Sequence, residues 1–130
     1  MLNSRLIHDL SLNAQDWFYR FENAVAQRLH LYRGLDWEVC CTRRDAEYQN
    51  KLYEQGRTTP GDIVTWTRDS RHLSGEAWDI FILKDGKAVW ESPLYGKIAE
   101  VGKIIGLEAG YFWPKKKQDQ GHYETPQLIG

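Results

Sequence analysis

The chain reads as α+β, with helices packed on a small, largely antiparallel sheet, and three observations predict that class. Apolar residues recur at helical spacing early in the chain, where Trp17, Phe18, Phe21, Val25 and Leu29 share one side. Two short β-prone runs, Trp37 to Cys41 and Ala77 to Leu83, stand apart from the helical stretches. The second run leads into Lys84-Asp85-Gly86-Lys87, a hairpin-turn signature after which Ala88-Val89-Trp90 can pair back.

Taken in order, the first element is an amphipathic helix from about Ser11 to about Leu31, with the Ser11 hydroxyl as its cap. The strand at Trp37 to Cys41 follows. A second helix from about Asp45 to about Gln55 stops at Gly56. Arg57 to Thr65 reads as an extended loop that Arg57 ties down. Beyond the hairpin, a helix from about Pro93 to about Ile105 ends at Gly106, and Tyr111 to Trp113 and His122 to Glu124 are the last strand candidates. Trp17 and Trp78 are expected in the core. So are Trp66 and Trp113, with stacking on sugar rings as their alternative role.

With 130 residues, a net charge of -1, 42% hydrophobic residues and four prolines, residues 1–130 fit a single domain. That near-neutral balance excludes nucleic-acid binding carried mainly by charge. The one dense basic run, Lys115-Lys116-Lys117, reads as a solvated loop. The opening M-L-N-S-R-L-I-H-D-L lacks a basic segment followed by a long apolar core, so no secretory signal is expected, and no apolar run reaches membrane length. The expectation is a monomer made in the cytoplasm, with no membrane insertion, that needs help to reach an outside substrate. Cys40 and Cys41 are adjacent and bridge poorly, so both read as reduced strand or core residues.

The stretch S-R-H-L-S-G-E-A-W-D, Ser70 to Asp79, holds the chemistry. In a strand Ala77 and Asp79 share a face, so Glu76 points the other way and reads as solvent-facing. Gly75 would let His72 fold back over the Asp79 face, its missing side chain leaving space for an ion and a substrate. A lone His and Asp so placed also fit an ordinary hydrogen-bonded pair. A third ligand changes that balance. His8 and His30 belong to the N-terminal helical region, which leaves His122 in D-Q-G-H-Y-E as the candidate. Two histidines, one carboxylate and a position open to water form a catalytic zinc pattern, whereas structural zinc is usually closed by cysteines. No H-E-x-x-H helix is present.

These residues carry a resemblance. Ser70 to Asp79 matches the S-x-H-x-x-G-x-A-x-D signature, and D-Q-G-H the acid-x-x-His signature, of the zinc D-alanyl-D-alanine carboxypeptidase and L-alanyl-D-glutamate peptidase family. The stretch from Cys41 to Thr65, with its L-Y-E-Q-G-R-T segment, and the opening S-R-L-I-H-D-L-S resemble phage endolysins of the L-alanyl-D-glutamate branch. The likeness implies His72, Asp79 and His122 as ligands of Zn2+, Asp119 as general base and, counting back from Gln49, Arg44 as the catalytic and substrate-binding arginine. Ser70 is expected to orient His72 or to bind substrate. Where relatives often carry Gly-Leu-x-Trp-Gly-Gly, this chain has Gly106 to Tyr111, a departure bearing on the substrate groove.

The chemistry implied is peptide hydrolysis. Zinc lowers the pKa of its water toward ~7 and polarises a carbonyl. Asp119 would move the proton to the leaving amine, and Arg44 would face an oxyanion or a substrate carboxylate. Asp119 can also be read as a turn residue, with Glu124 as base or as a partner behind His122. The expected substrate is the stem peptide of peptidoglycan, cut between L-alanine and D-glutamate by an endolysin with no separate wall-binding domain, once the membrane is permeabilised. A D-alanyl-D-alanine carboxypeptidase or dipeptidase, or a non-catalytic zinc-stabilised binding domain, are the alternatives.

Overall fold

The first helix, α1, spans Leu12–Arg28 because the Ser11 hydroxyl accepts the Ala14 amide at 3.0 Å and starts the turn. Its buried face is Ala14, Phe18, Phe21 and Val25. The computed structural model describes residues 1–30, 32 and 36–127, so the expected helix end at Leu31 lies outside the described residues. Strand β1 is Asp36–Cys41, and α2, Ala46–Glu54, starts where the Asp45 carboxylate accepts the Tyr48 amide at 2.9 Å. Strand β2, Ala77–Lys84, turns through Asp85 and Gly86, both at positive φ, into β3, Lys87–Val89. Helix α3, Leu94–Ile105, ends on left-handed Gly106, and β4 (Glu108–Ala109) and β5 (His122–Glu124) are the last strands among the described residues.

All the strand pairings among the described residues are antiparallel, in the order β1-β2-β5-β4 with β3 also on β2. The α+β class therefore stands. One sheet face, with Trp78, Ile80, Ile82 and Tyr123, packs on α1 and α3 through Phe21, Val25, Ile98 and Val101. The opposite face carries Asp79 and His122, which are direct partners in the β2–β5 pairing. A bulge in β1 between Val39 and Cys41 moves Cys41 opposite Asp79. The core thus anchors β2 and β5 from behind, leaving their other face for chemistry.

Two expected elements differ. Tyr111 to Trp113 is not a strand: β4 comes earlier, and Gly110–Phe112 is a 3-10 turn. The Gly110 carbonyl accepts both the Trp113 and the Asp119 amides, which curls the chain off the sheet edge. Arg57 to Thr65 is folded, with a bridge between Gln55 and Thr59. Arg57 holds this loop, as expected, by donating to the carbonyls of Tyr53 at 2.6 Å and Thr65 at 3.2 Å. No helix among the described residues is long and apolar enough to cross a membrane.

Candidate metal centre

His72 stands on a 3-10 turn, Arg71–Ser74, that enters through Ser70 and leaves through left-handed Gly75. The Ser70 hydroxyl accepts the His72 amide at 3.2 Å, so Ser70 orients this turn. Gly75 is needed for closeness. A side chain there would press on the backbone of Ser11 and Asp9, so the space it leaves is filled by the start of α1, not by an ion or substrate. Glu76 also departs from expectation. It is half-buried, bonding Ser11 and accepting from Asn13 and Thr125 at 3.1 and 2.6 Å, and so joins α1 to the end of β5.

The structure brings His72, Asp79 and His122 together. His72 Nε2 lies 3.1 Å, and His122 Nδ1 2.9 Å, from the same oxygen, Oδ1 of Asp79. Each ring is fixed from behind. His72 Nδ1 is 2.6 Å from the Thr42 carbonyl and His122 Nε2 is 2.8 Å from a Glu124 carboxylate oxygen, both of them acceptors, so the outer nitrogens carry the protons. In neutral imidazoles the two inner nitrogens then present lone pairs to an anionic oxygen. Three electron pairs converge, and only a cation reconciles them: a proton on each ring, or one metal ion. The donor set, two imidazoles and a carboxylate, suits zinc.

Electrostatics agree with that reading of the geometry. Burial works against charge on both rings, yet the Asp79 carboxylate overcomes it and lifts His72 to about 10 and His122 to about 9. Asp79 is correspondingly held far below the usual carboxylate range, the histidines outweighing its own burial. Glu124 is also depressed: burial raises it, but His122 and Arg71, whose Nη1 lies 3.3 Å away, lower it further. Glu124 therefore sits behind His122 as its partner.

Arg44 and Asp119 flank the triad. Arg44 Nη2 donates to Asp79 Oδ2 at 3.3 Å, and its Nη1 to Gln49 Oε1 at 3.1 Å. Its Nε is buried without a hydrogen-bond partner among the described residues. Asp119 is exposed as a residue, yet a carboxylate oxygen turns in to within 4.8 Å of ligand atoms of Asp79 and His122. Lost hydration and then the Asp79 charge push its pKa up.

Sequence reasoning did not place Cys41 and Gln49 at the site, and it favoured the core for Trp66 and Trp113. Cys41 forms an overlapping group with His72 and Asp79, its sulfur 3.7 Å from His72 Nδ1; the β1 bulge that brings it there has no clear signature in sequence. Both cysteines are free. Gln49, fully buried on α2, holds Arg44 and donates to Thr65 Oγ1 and the Thr67 carbonyl at 3.2 and 2.8 Å. Trp113, half-buried, packs its ring 5.0 Å from that of His122, and Trp66 is 52% exposed in the cleft, so neither is a core residue. Lys116 and Lys117 are solvated, as expected, and they also line the same cleft, of about 730 Å³.

No protein-family model matches the chain. It is 34% identical over 104 residues to the peptidoglycan L-alanyl-D-glutamate endopeptidase CwlK of Bacillus subtilis (strain 168), covering 71% of this chain and 62% of that protein. The chain thus spans under two thirds of the length of this curated relative. Its fold is similar to the crystal structure of the L-Ala D-Glu endopeptidase ChiX of Serratia marcescens, with a TM-score of 0.67, 22% identity, and coverage of 92% of this chain and 83% of that one.

Proposed function

We propose that the chain belongs to the D-alanyl-D-alanine carboxypeptidase and L-alanyl-D-glutamate peptidase family and is a zinc-dependent endolysin cutting the L-alanyl-D-glutamate bond of peptidoglycan stem peptides, a reading that the 34% identity to CwlK supports. The observation that carries the reading is the convergence of His72 Nε2 and His122 Nδ1 on Asp79 Oδ1 at the floor of a cleft that also holds Arg44 and Asp119. In this reading His72, Asp79 and His122 hold the ion. Zinc, when bound, supplies Lewis acidity to the scissile carbonyl and the attacking water.

The protein's own groups do the rest. Asp119, unprotonated, accepts a proton from the attacking water and returns it to the nitrogen of the leaving D-glutamate. Arg44 keeps a fixed charge toward the carbonyl oxygen or a substrate carboxylate, its guanidinium oriented by Asp79 and Gln49. Thr42 and Glu124 fix the ring orientations of the two histidines. The phage assignment rests on the likeness of the Cys41 to Thr65 stretch and the N-terminal segment to endolysins.

Mass spectrometry of purified peptidoglycan incubated with the protein and zinc, then with chelator, tests this. Muropeptides ending in L-alanine, with matching peptides that begin at D-glutamate and vanish with chelator, are expected. Release of terminal D-alanine alone would move the protein to the carboxypeptidase branch, and bound zinc without cleavage would make it a binding domain.

A further inference from the structure

Two clefts meet at Asp79 and Asp119. One is the 730 Å³ cleft over Arg44 described above. The other, of about 410 Å³, runs from the same two carboxylates past Cys40, Tyr95 and Gln120 to Trp90. They differ in charge. The first carries Arg44, Arg71, Lys116 and Lys117 against the carboxylates of Asp69, Asp79, Asp119 and Glu124; the arginines pair with Asp79 and Glu124, and neither lysine forms a salt bridge among the described residues, whereas the second has Asp79 and Asp119 and no lysine or arginine in its wall.

The substrate of the proposed reaction is equally lopsided. On the amino side of the scissile bond a single L-alanine separates it from the lactyl ether and the uncharged sugars of the glycan. On the other side, D-glutamate and the residues after it carry free carboxylates. We propose that the chain binds this substrate in one direction, with the carboxylate-bearing peptide in the lysine-rimmed cleft and the lactyl-saccharide end in the second cleft, where Trp90 is the platform for a sugar ring. This rests on the reading of the reaction given above.

Trp90 is built for that role. Its ring is 61% exposed and leans on Phe81 at 6.0 Å. Its carbonyl accepts from Gln120 Nε2 at 2.5 Å, and Gln120 is the neighbour of Asp119, so the platform is tied to the loop carrying the base. The preceding carbonyl, of Val89, accepts from the hydroxyl of fully buried Tyr95 at 2.5 Å. A platform fixed on both sides costs little ordering on binding. One extended residue spans at most ~3.6 Å, so a single L-alanine keeps the lactyl group close to the scissile bond. Trp66 offers an aromatic face in the other cleft, so charge, not aromaticity, decides the direction.

The test compares wild type, Trp90→Ala and Trp90→Phe on a purified disaccharide-peptide and on the same stem peptide freed of sugar, with binding of each protein to glycan strands stripped of peptides. Trp90→Ala is expected to lower kcat/KM on the disaccharide-peptide about tenfold and to leave the free peptide unchanged. It should also lose retention on the stripped strands, and Trp90→Phe should keep most of both properties. Equal effects of Trp90→Ala on the two substrates, or none on either, overturn the direction alone. A wild type that cleaves neither substrate overturns the reaction as well, so the two failures are told apart.

Discussion

The side-chain carbonyl of Gln49 accepts a hydrogen bond from Arg44 Nη1 at 3.1 Å, while its amide donates to Thr65 and Thr67. One fully buried glutamine thus ties the arginine to the cleft wall. Gln49→Leu should retain zinc, lose about 1–3 kcal/mol of stability through the hydrogen bonds lost to Arg44, Thr65 and Thr67, and lower kcat by roughly 10- to 100-fold as Arg44 drifts. Chemical denaturation and steady-state kinetics read the two effects separately. Wild-type kcat in this variant would show that Arg44 needs no such support, and an unaltered rate in Arg44→Lys would remove Arg44 from the chemistry.

The three acidic and imidazole roles separate by metal content. His122→Ala should lose zinc and activity together, whereas Asp119→Ala should keep zinc and lose most turnover. Glu124→Ala should bind zinc about 10- to 100-fold more weakly, because only the partner behind His122 is gone. Elemental analysis after dialysis, set beside kcat, checks all three. Full activity in His122→Ala would dismiss the site.

Gly110 matters through closeness. A Cβ there would collide with the Asp119 carbonyl oxygen and sit 3.0 Å from the Asp119 Cβ, while the Gly110 carbonyl accepts the Asp119 amide at 3.0 Å. Gly110→Ala must displace the loop that carries Asp119. Turnover should fall at least tenfold with zinc retained, and a melting curve should show a stability loss of about 1–3 kcal/mol. A variant as fast as wild type would mean that the loop position does not control the reaction.

Acid should reveal the Glu76 link. Partial burial raises its pKa, but bonds from Ser11, Thr125 and Asn13, with the Arg71 charge, bring it below the ordinary value. A carboxylate depressed in the folded state contributes stability that is complete above its unfolded pKa of about 4.3 and fades as pH falls through the folded value. Glu76→Gln should therefore destabilise the protein at pH 7, by about 1–2 kcal/mol, and by progressively less below pH 4. Urea titrations across pH 3 to 7 measure this, and a penalty independent of pH would assign the effect to packing.

Where local rules act alone, the sequence was legible. Ser11 and Asp45 cap their helices, Gly106 ends α3, and Asp85-Gly86 turns the hairpin, because caps and positive-φ turns are set by a few adjacent residues. The spacing of Ser70, His72 and Asp79 brought the candidate ligands His72 and Asp79 to notice for the same reason. What stayed hidden depends on distant partners. The bulge placing Cys41 opposite Asp79, the Gly110 carbonyl that curls Tyr111 to Trp113 off the sheet, and the burial of Gln49 against Thr65 and Thr67 arise only after β1, β2 and β5 assemble. Glu76 was misread because strand alternation gives a side chain's direction, not what another element brings to meet it.

His122 reaches Asp79 across 43 residues of chain, and only through the pairing of β5 with β2. A polypeptide emerging from the ribosome at ~5–20 residues per second therefore displays His72 and Asp79 for some seconds before the second imidazole exists. Unfinished chains have two of the three proposed ligands and lack the β5 wall of the cleft. On the proposed mechanism, a chain cut short before His122 is inert.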